Sequence, residues 1–329
     1  MRNRMLALAM PLVGLALTVV TLQAATAQQP AFSDRPIRMN YGFAAGGSGD
    51  MAARLLADVA TKVLGQRVVV ENRTGANGMI AAEATARSPA DGHTVLFCTT
   101  GNMTIITELP GVQLSVNPAT ELMGIGQLLR STFGLVVGKE SPYRSVQDLV
   151  AAARANPGKI SYATPGVGSV QHLSNEILSQ KLNIKMVHVP YRGSQAALHD
   201  LVSGRVDFSL TNLGDIISHV RSGSLRLLAL GDPLGKRFFP DAPMISDVAP
   251  GFETYAWFGL CGPTGMPAAV VKRWEEAIKA AVEDPAVSEK LLNNGMVPAF
   301  TDAAALAQTM EKNRRDYREV IRAANIRVD

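Results

Sequence analysis

Short strand-like runs alternate with helical segments along most of this chain, and that alternation restricts its fold more than any other feature. Runs such as 67–71 are β-branched and apolar, whereas stretches such as 51–64 have the composition and spacing of helices. Alternating β and α elements pack as parallel sheets with helices on both faces, so the predicted fold class is α/β. The predicted strands are 36–41, 67–71, 93–98, 122–129, 133–137, 159–163, 185–189, 205–210, 225–230 and 255–261. The predicted helices are 51–64, 78–87, 149–154, 170–181, 194–203, 214–221, one that begins at Pro267, and two more of which the last is 302–324.

The alternation falls into two series. Runs 122–129 and 133–137 follow one another without a helix between them, and the second series spans 159–230. Segment 231–250 contains four prolines and is predicted to be a linker-like excursion with one helical turn. Two series joined by long extended strands predict two α/β lobes, with the C-terminal helices, which lack strands of their own, packed on the first. The predicted division is 33–126 plus 254–329 for lobe I and 127–253 for lobe II.

The N-terminus has the pattern of a cleavable export signal. Arg2 and Arg4 precede an apolar run over 6–22, and Ala25-Thr26-Ala27 gives the small-x-small cleavage pattern. A retained membrane anchor is the alternative, but the run is short for a span of about 20 residues. We therefore predict a signal peptide over 1–27, removed after Ala27, and a mature protein outside the cytoplasm. No cysteine lies near the cleavage site, which disfavours a lipid anchor.

Charge and cysteine content exclude several classes of protein. The formal net charge is +4, and loss of the two leader arginines leaves +2, with no basic stripe that would indicate nucleic-acid binding. The five histidines are scattered without zinc-site spacing, so no metal or other cofactor is predicted. Cys98 and Cys261 each lie in a strand-like run, and a disulfide or two buried thiols remain equal alternatives.

Five polar, glycine-containing loops follow predicted strands. In open parallel sheets, ligands bind beyond the carboxyl ends of the strands, which points to 43–50, 99–102, 164–172, 190–194 and 211–215. The loop Phe43-Ala-Ala-Gly-Gly-Ser-Gly-Asp50 leads into the first helix, whose unpaired N–H groups and dipole attract anions. The bound anion would be a carboxylate or a phosphate, although many such turns bind nothing. Neither nucleotide-binding glycine motif is present.

Four side chains in these loops have two interpretations each. Asp50 is predicted to cap the first helix, with contact to an amine-bearing ligand as the alternative. His172 either donates to a ligand carboxylate or makes an orienting structural hydrogen bond. Arg192 either binds a ligand carboxylate through two guanidinium N–H groups or forms an ion pair with an acidic residue at the lobe surface. Tyr191 either contacts a ligand or packs in the wall of the cleft.

At these same loops the chain resembles the substrate-binding proteins of tripartite tricarboxylate transporters, the Bug-type periplasmic receptors. The resemblance is nearly full length, and the order and spacing of its pieces make it specific. Its carriers are Phe43–Gly47 with Asp50, Val70–Arg73 with Gly75 and Gly78, Asp91-Gly92, Pro157–Lys159, Ser161–Ala163, Gly168-Ser169 with His172-Leu173, Val189–Gly193, Gly204–Asp207, Asn212, and Trp257–Leu260 with Pro263.

This resemblance implies a Venus-flytrap periplasmic binding protein of the type II-like class, each lobe a mostly parallel sheet flanked by helices. It further implies that backbone amides and ordered waters at 43–48 and 166–169 hold a ligand carboxylate, which favours carboxylate over phosphate. The chain departs from the family at Gly42, Ser48, Gly49, Thr211 and 99–102, so the resemblance predicts no particular acid. The predicted ligand-binding residues are Phe43, Ala45, Gly46, Gly47, Ser48, Asp50, Thr99, Thr100, Asn102, Gly166, Gly168, Ser169, His172, Tyr191, Arg192, Gly193 and Asn212.

The function predicted on this basis is capture of a small organic anion and its delivery to membrane permease subunits. The anion would be a mono- or dicarboxylate, aromatic acids included, and the receptor is expected to be a monomer. A receptor that presents its ligand to a membrane signalling kinase is the alternative. A periplasmic hydrolase is disfavoured because Gly-x-Ser-x-Gly and His-Glu-x-x-His are both absent, and no catalytic residue is predicted.

Overall fold

The computed structural model describes residues 32, 35–323 and 326. The predicted signal peptide lies outside these residues. Within the described part of the chain, no helix combines the length and the apolar character needed to cross a membrane.

Ten strands and ten α-helices make up the described fold. The strands are β1 (Ile37–Tyr41), β2 (Val68–Asn72), β3 (Thr94–Thr99), β4 (Leu122–Gly138), β5 (Ser161–Thr164), β6 (Val187–Pro190), β7 (Phe208–Asn212), β8 (Leu225–Leu230), β9 (Tyr255–Pro263) and β10 (Met296–Thr301). The helices are α1 (Ser48–Leu64), α2 (Met79–Ala86), α3 (Pro118–Glu121), α4 (Val146–Ala155), α5 (Val170–Leu182), α6 (Ser194–Val202), α7 (Leu213–Arg221), α8 (Ala268–Glu283), α9 (Pro285–Asn293) and α10 (Ala303–Ala323).

The strands lie in the order β2-β1-β3-β9-β4-β7-β5-β6, and β10 and β8 also pair with β4. We call β1–β3, β9 and β10 with the start of β4 the first half, and β5–β8 with the end of β4 the second half. Pairing is parallel among β1, β2 and β3 and among β5, β6 and β7, whereas β4 and β9 pair antiparallel with their neighbours. The predicted two-lobed α/β class is confirmed, with a mixed sheet in each lobe.

One long strand joins the two halves. The runs predicted separately at 122–129 and 133–137 are both part of β4, because Arg130, Ser131 and Thr132 stay extended and pair with β9. Beyond them β4 pairs with β7 and β8. The polar triplet looks like a break in the sequence, but Ser131 and Thr132 are buried and Arg130 lies over the ring of Tyr255.

The C-terminal region contains a strand that the sequence pattern did not indicate. Segment Met296–Thr301 forms β10 and pairs antiparallel with β4, so the expectation that this region lacks strands was wrong. Pro298 and a register shift after it weaken the local strand signal, because proline is rare inside a ladder. The predicted packing of this region onto the first half is confirmed, since α8 packs against α1 and α10 against β4.

Cys98 and Cys261 form a disulfide, which decides between the two alternatives left by the sequence. The bond joins β3 to β9, which are adjacent and antiparallel. Both sulfur-bearing residues are fully buried. The disulfide therefore ties two segments 163 positions apart inside the first half.

Candidate functional site

An inner cavity of about 50 Å³ lies between the two halves. It lies beyond the ends of strands from both halves, as expected for a ligand site in open α/β sheets. The first half lines it with Tyr41, Phe43, Ala44, Gly47, Ser48, Gly49, Asn77, Thr99, Gly101, Ala256 and Phe258. The second half lines it with Pro165, Ser169, Val170, Gln171, Ser194, Gln195, Asn212 and Asp215.

The predicted ligand-binding residues divide into three groups by position. Six of them line the inner cavity: Phe43, Gly47, Ser48, Thr99, Ser169 and Asn212. Gly166, Tyr191 and Arg192 line a separate outer cavity of about 590 Å³, to which Phe43, Asn77 and Pro165 also contribute. The remaining eight line neither cavity: Ala45, Gly46, Asp50, Thr100, Asn102, Gly168, His172 and Gly193.

The N-terminus of α1 projects into the inner cavity, but its amides are partly used already. The helix begins at Ser48, three residues earlier than predicted, with Gly47 as the N-cap. The Ser48 N–H donates to Asp215 Oδ1 at 2.9 Å, and the Gly46 N–H donates to Asp50 Oδ2 at 3.1 Å. Two of the amides expected to face a ligand are therefore bonded to carboxylates of the chain itself.

Asp50 lies outside the inner cavity and holds the 43–50 loop through hydrogen bonds. Its carboxylate accepts from Gly46, from the Arg54 guanidinium at 3.0 Å and from Asn72 Nδ2 at 2.8 Å. Burial by itself would raise the pKa of Asp50, but the hydrogen bonds from Arg54, Asn72 and Gly46 outweigh it and lower the pKa from its ordinary value. The N-terminus of α1 has no side-chain cap, so Asp50 bonds the loop ahead of the helix and ties it to β2 through Asn72.

Two predicted site residues, Ser169 and His172, make hydrogen bonds that shape the facing loop, 165–169. Ser169 caps α5, where its hydroxyl donates to the Gly166 carbonyl at 2.7 Å and accepts from the His172 N–H at 3.2 Å. The His172 ring accepts the Gly168 N–H through Nδ1 at 3.4 Å. Gly168 has φ +75°, a conformation that favours glycine. This contact agrees with the orienting interpretation of His172.

His172 and His188 stack in the second half with ring centroids 4.1 Å apart. Burial lowers the pKa of His172 to about 4. Burial, and then the charge of His172, lowers the pKa of His188 to about 3. Both rings are thus neutral in the folded protein near neutral pH.

This pair predicts a loss of stability in mild acid. Unfolded histidines bind protons below about pH 6.5, whereas the folded rings resist until about pH 4, so the stabilisation is complete above pH 6.5 and falls as the pH drops. We expect the free energy of unfolding to fall by about 2 kcal/mol per buried histidine between pH 7 and pH 5. Urea unfolding at both pH values measures it. The His172→Asn, His188→Asn double variant should lose that pH dependence, whereas the exposed control His199→Asn should retain it.

Tyr191 and Arg192 lie at the outer cavity. The Tyr191 hydroxyl donates to Asp200 Oδ2 at 2.8 Å, and burial and this bond raise the pKa of Tyr191 to about 12. That contact fits the wall-packing interpretation of the tyrosine. Arg192 is exposed and lies away from the inner cavity. Gly193, with φ +119°, brings its backbone close to Ala44 of the first half.

Residues 99–102 form the end of β3 and the start of a helical turn rather than an open loop. Thr100 Oγ1 accepts the Trp257 N–H at 2.9 Å, and Asn102 Oδ1 accepts the Thr99 N–H at 2.9 Å. Thr100 and Asn102 therefore sit behind the cavity wall, and Thr99 alone of the three lines the cavity.

Asn77 and Asp215 line the inner cavity but were not among the predicted ligand-binding residues. Asn77 is 8% exposed, and neither of its side-chain polar atoms has a hydrogen-bond partner among the described residues. Its φ of +52° places it in the left-handed region, which is uncommon outside glycine. Asn212 Oδ1 is likewise buried without a partner. Such groups are costly unless something binds them. The available signal was position, since Asn77 follows β2 and Asp215 lies in the predicted loop 211–215, which the structure divides between the end of β7 and the first turn of α7.

The sequence matches the model of the tripartite tricarboxylate transporter family receptor over residues 52–326. The chain belongs to this receptor family. It is 33% identical over 312 residues to the "UPF0065 protein in tcbD-tcbE intergenic region" of Pseudomonas sp. strain P51, covering 94% of this chain and 92% of that protein.

Solved structures of this family have the same fold. An adipate-bound protein of R. palustris, Rpa4515, is similar with a TM-score of 0.85 and 31% identity, covering 90% of this chain and 99% of that one. MatC of Rhodopseudomonas palustris with bound malate is similar with a TM-score of 0.80 and 27% identity, covering 88% of this chain and all of that one. The predicted family resemblance is confirmed.

Proposed function

We propose that this receptor captures a small organic carboxylate in the inner cavity and delivers it to a membrane permease. The observation that carries the proposal is the cavity itself, which residues of both halves line, among them Asn77 and Asn212 with their buried, unpartnered polar atoms. Two structural relatives carry adipate and malate, which agrees with a carboxylate ligand. We propose that lobe I, 33–126 plus 254–329, forms one wall of the cavity and that lobe II, 127–253, forms the other.

Binding would work as a population shift. A ligand that touches both lobes gains its full set of contacts only when they are closed around it, so it favours the closed state by differential affinity. A permease could then distinguish loaded from unloaded receptor by the closed surface. A receptor that works in this way must be exported from the cytoplasm. From the pattern of the leader, we propose that the signal peptide is cleaved after Ala27 and that the mature protein is periplasmic.

A binding role also fits the side chains better than hydrolysis does. The Ser169 hydroxyl donates to the Gly166 carbonyl, and His172 Nδ1 accepts from the Gly168 amide. Hydrolysis by a serine–histidine pair requires the hydroxyl to donate to the ring nitrogen instead. We therefore propose a receptor without catalytic residues.

Calorimetric titration of the mature protein tests this function. The protein is unfolded and refolded to remove any bound acid and then titrated with acetate, propionate, malate, adipate, benzoate, glycine and β-alanine. Saturable one-to-one binding of at least one acid is expected. If none of these acids binds to correctly refolded protein, the receptor proposal fails.

A further inference from the structure

The inner cavity contains a carboxylate of its own, and this bears on which ligand it fits. Asp215 lies in the first turn of α7 and is 6% exposed. Its Oδ1 accepts from the Ser48 N–H, and its Oδ2 accepts from Asn212 Nδ2 at 3.3 Å. A carboxylate has about four acceptor positions, so each oxygen retains capacity toward the cavity.

The part of the chain that the structure describes places no cationic side chain in an ion pair with Asp215. Among the described residues, no lysine, arginine or histidine lines the inner cavity. The nearby guanidinium of Arg54 is bonded to Asp50 on the outer side of the loop. Burial, and then the negative charges of Asp215 and Asp50, hold the pKa of Tyr41 well above its ordinary value, so that phenol stays neutral beside the cavity. The N-termini of α1 and α7 contribute positive potential beside Asp215.

Both halves contribute polar groups to the cavity. The Asp215 carboxylate and the unpartnered Asn212 Oδ1 form an acceptor end, contributed by the second half. Asn77 contributes an amide from the β2–α2 turn of the first half, and both its Nδ2 and its Oδ1 are unpartnered. That nitrogen lies in the seam between the halves, because a Cβ added to Gly101 or to Gly168 would come within 3.3 and 3.5 Å of it. The Asn77 side therefore offers a donor to an anionic group.

We propose that Asp215 selects the ligand by charge, and that the receptor takes a short zwitterion whose ammonium group binds Asp215 and Asn212 while its carboxylate binds Asn77. The inference rests on the proposed receptor function and adds the substrate class. A second carboxylate placed beside Asp215 would be repelled, whereas an ammonium group fills the acceptor positions. The volume of about 50 Å³ suits a ligand of a few heavy atoms.

Matched pairs of ligands test the charge selection on the wild-type protein. Glycine, β-alanine and 4-aminobutyrate are titrated beside acetate, propionate and butyrate, which have the same chain lengths without the amine. We expect one amino acid to bind at least 10-fold more tightly than its amine-free partner, given the typical strength of a charge-assisted hydrogen bond. Equal or tighter binding of the amine-free acid would overturn the inference.

The variant Asp215→Asn assigns the selection to this residue. It keeps an oxygen for the Ser48 N–H and removes the charge, so the affinity for the amino acid should fall about 10- to 100-fold while that for the amine-free acid stays or rises. Asp58→Asn, an exposed charge change on α1, should alter neither affinity. Equal weakening of both ligands by Asp215→Asn would make Asp215 a structural contact and contradict the inference. Binding of malate or adipate with no amino acid bound would sink it and leave the receptor function intact.

Discussion

Replacing Gly47 with valine is expected to abolish ligand binding while the protein still folds. Gly47 has φ −81° and ψ 169°, an extended conformation that any residue adopts. A Cβ at this position would meet only Asp215 Oδ1, at 3.7 Å, which is an ordinary contact. The additional methyl groups would project toward a cavity of about 50 Å³ and take up much of its space. We expect at least a 100-fold loss of affinity, because the ligand and the side chain cannot share the space.

The matched control for this variant is Ala45→Val, two residues earlier in the same loop. Ala45 is exposed and lines neither cavity, so its substitution adds similar bulk on the outer side. Calorimetric titration of both variants measures affinity, and thermal unfolding followed by circular dichroism measures folding. Affinity retained in a folded Gly47→Val protein would place the ligand elsewhere. A strongly lowered melting temperature in both variants would instead indicate that the loop tolerates no β-branched residue.

The second large effect is expected on stability, from loss of the Cys98–Cys261 disulfide. The bond closes a loop of 163 residues, and in the chain-entropy model a loop of that length stabilises the folded state by about 5 kcal/mol. Native disulfides removed from other proteins typically cost about 2–5 kcal/mol. We therefore expect the double variant Cys98→Ala, Cys261→Ala to lose several kcal/mol in the free energy of unfolding, measured by guanidinium titration.

Reducing agent supplies the control for that comparison. Wild type unfolded in the presence of a strong phosphine reductant should approach the stability of the double variant, whereas the variant should not respond to the reductant. Both cysteines lie on the sheet of the first half and neither lines the cavity, so ligand affinity at temperatures where the variant is folded should change little. Equal stability of the oxidised wild type and the double variant would show that the bond contributes nothing.

Local patterns in the sequence predicted the elements that local physics decides. The Ser145–Asp148 capping box starts the predicted helix α4, because its reciprocal hydrogen bonds involve residues three apart. The glycine-rich loop between β1 and α1 is likewise where it was expected, at the end of a strand and the start of a helix. Helix α5 begins at Val170 after the Ser169 cap. Each of these features is encoded within a few consecutive residues.

Pairing partners distant in the chain decided the features that were missed. Strand β10 contains Pro298 and has a weak local pattern, and it forms because β4 offers an unpaired edge. In the sequence, the polar residues 130–132 look like a break between two strands. They stay in β4 because they pair with β9. Tertiary context overrides strand propensity in this way because propensity largely measures the packing of neighbouring strands.

By itself, the sequence determined the α/β class, the receptor family, and the strand-end loops from which the cavity is built. Only the tertiary structure decided which groups of those loops face the cavity. Asp215 meets the Ser48 amide across 167 positions of chain, and this contact places a negative charge where a ligand's carboxylate was expected. The reason is physical: periodicity and capping act over a few residues, whereas the charge of a cleft depends on which side chains two separately folded walls bring together.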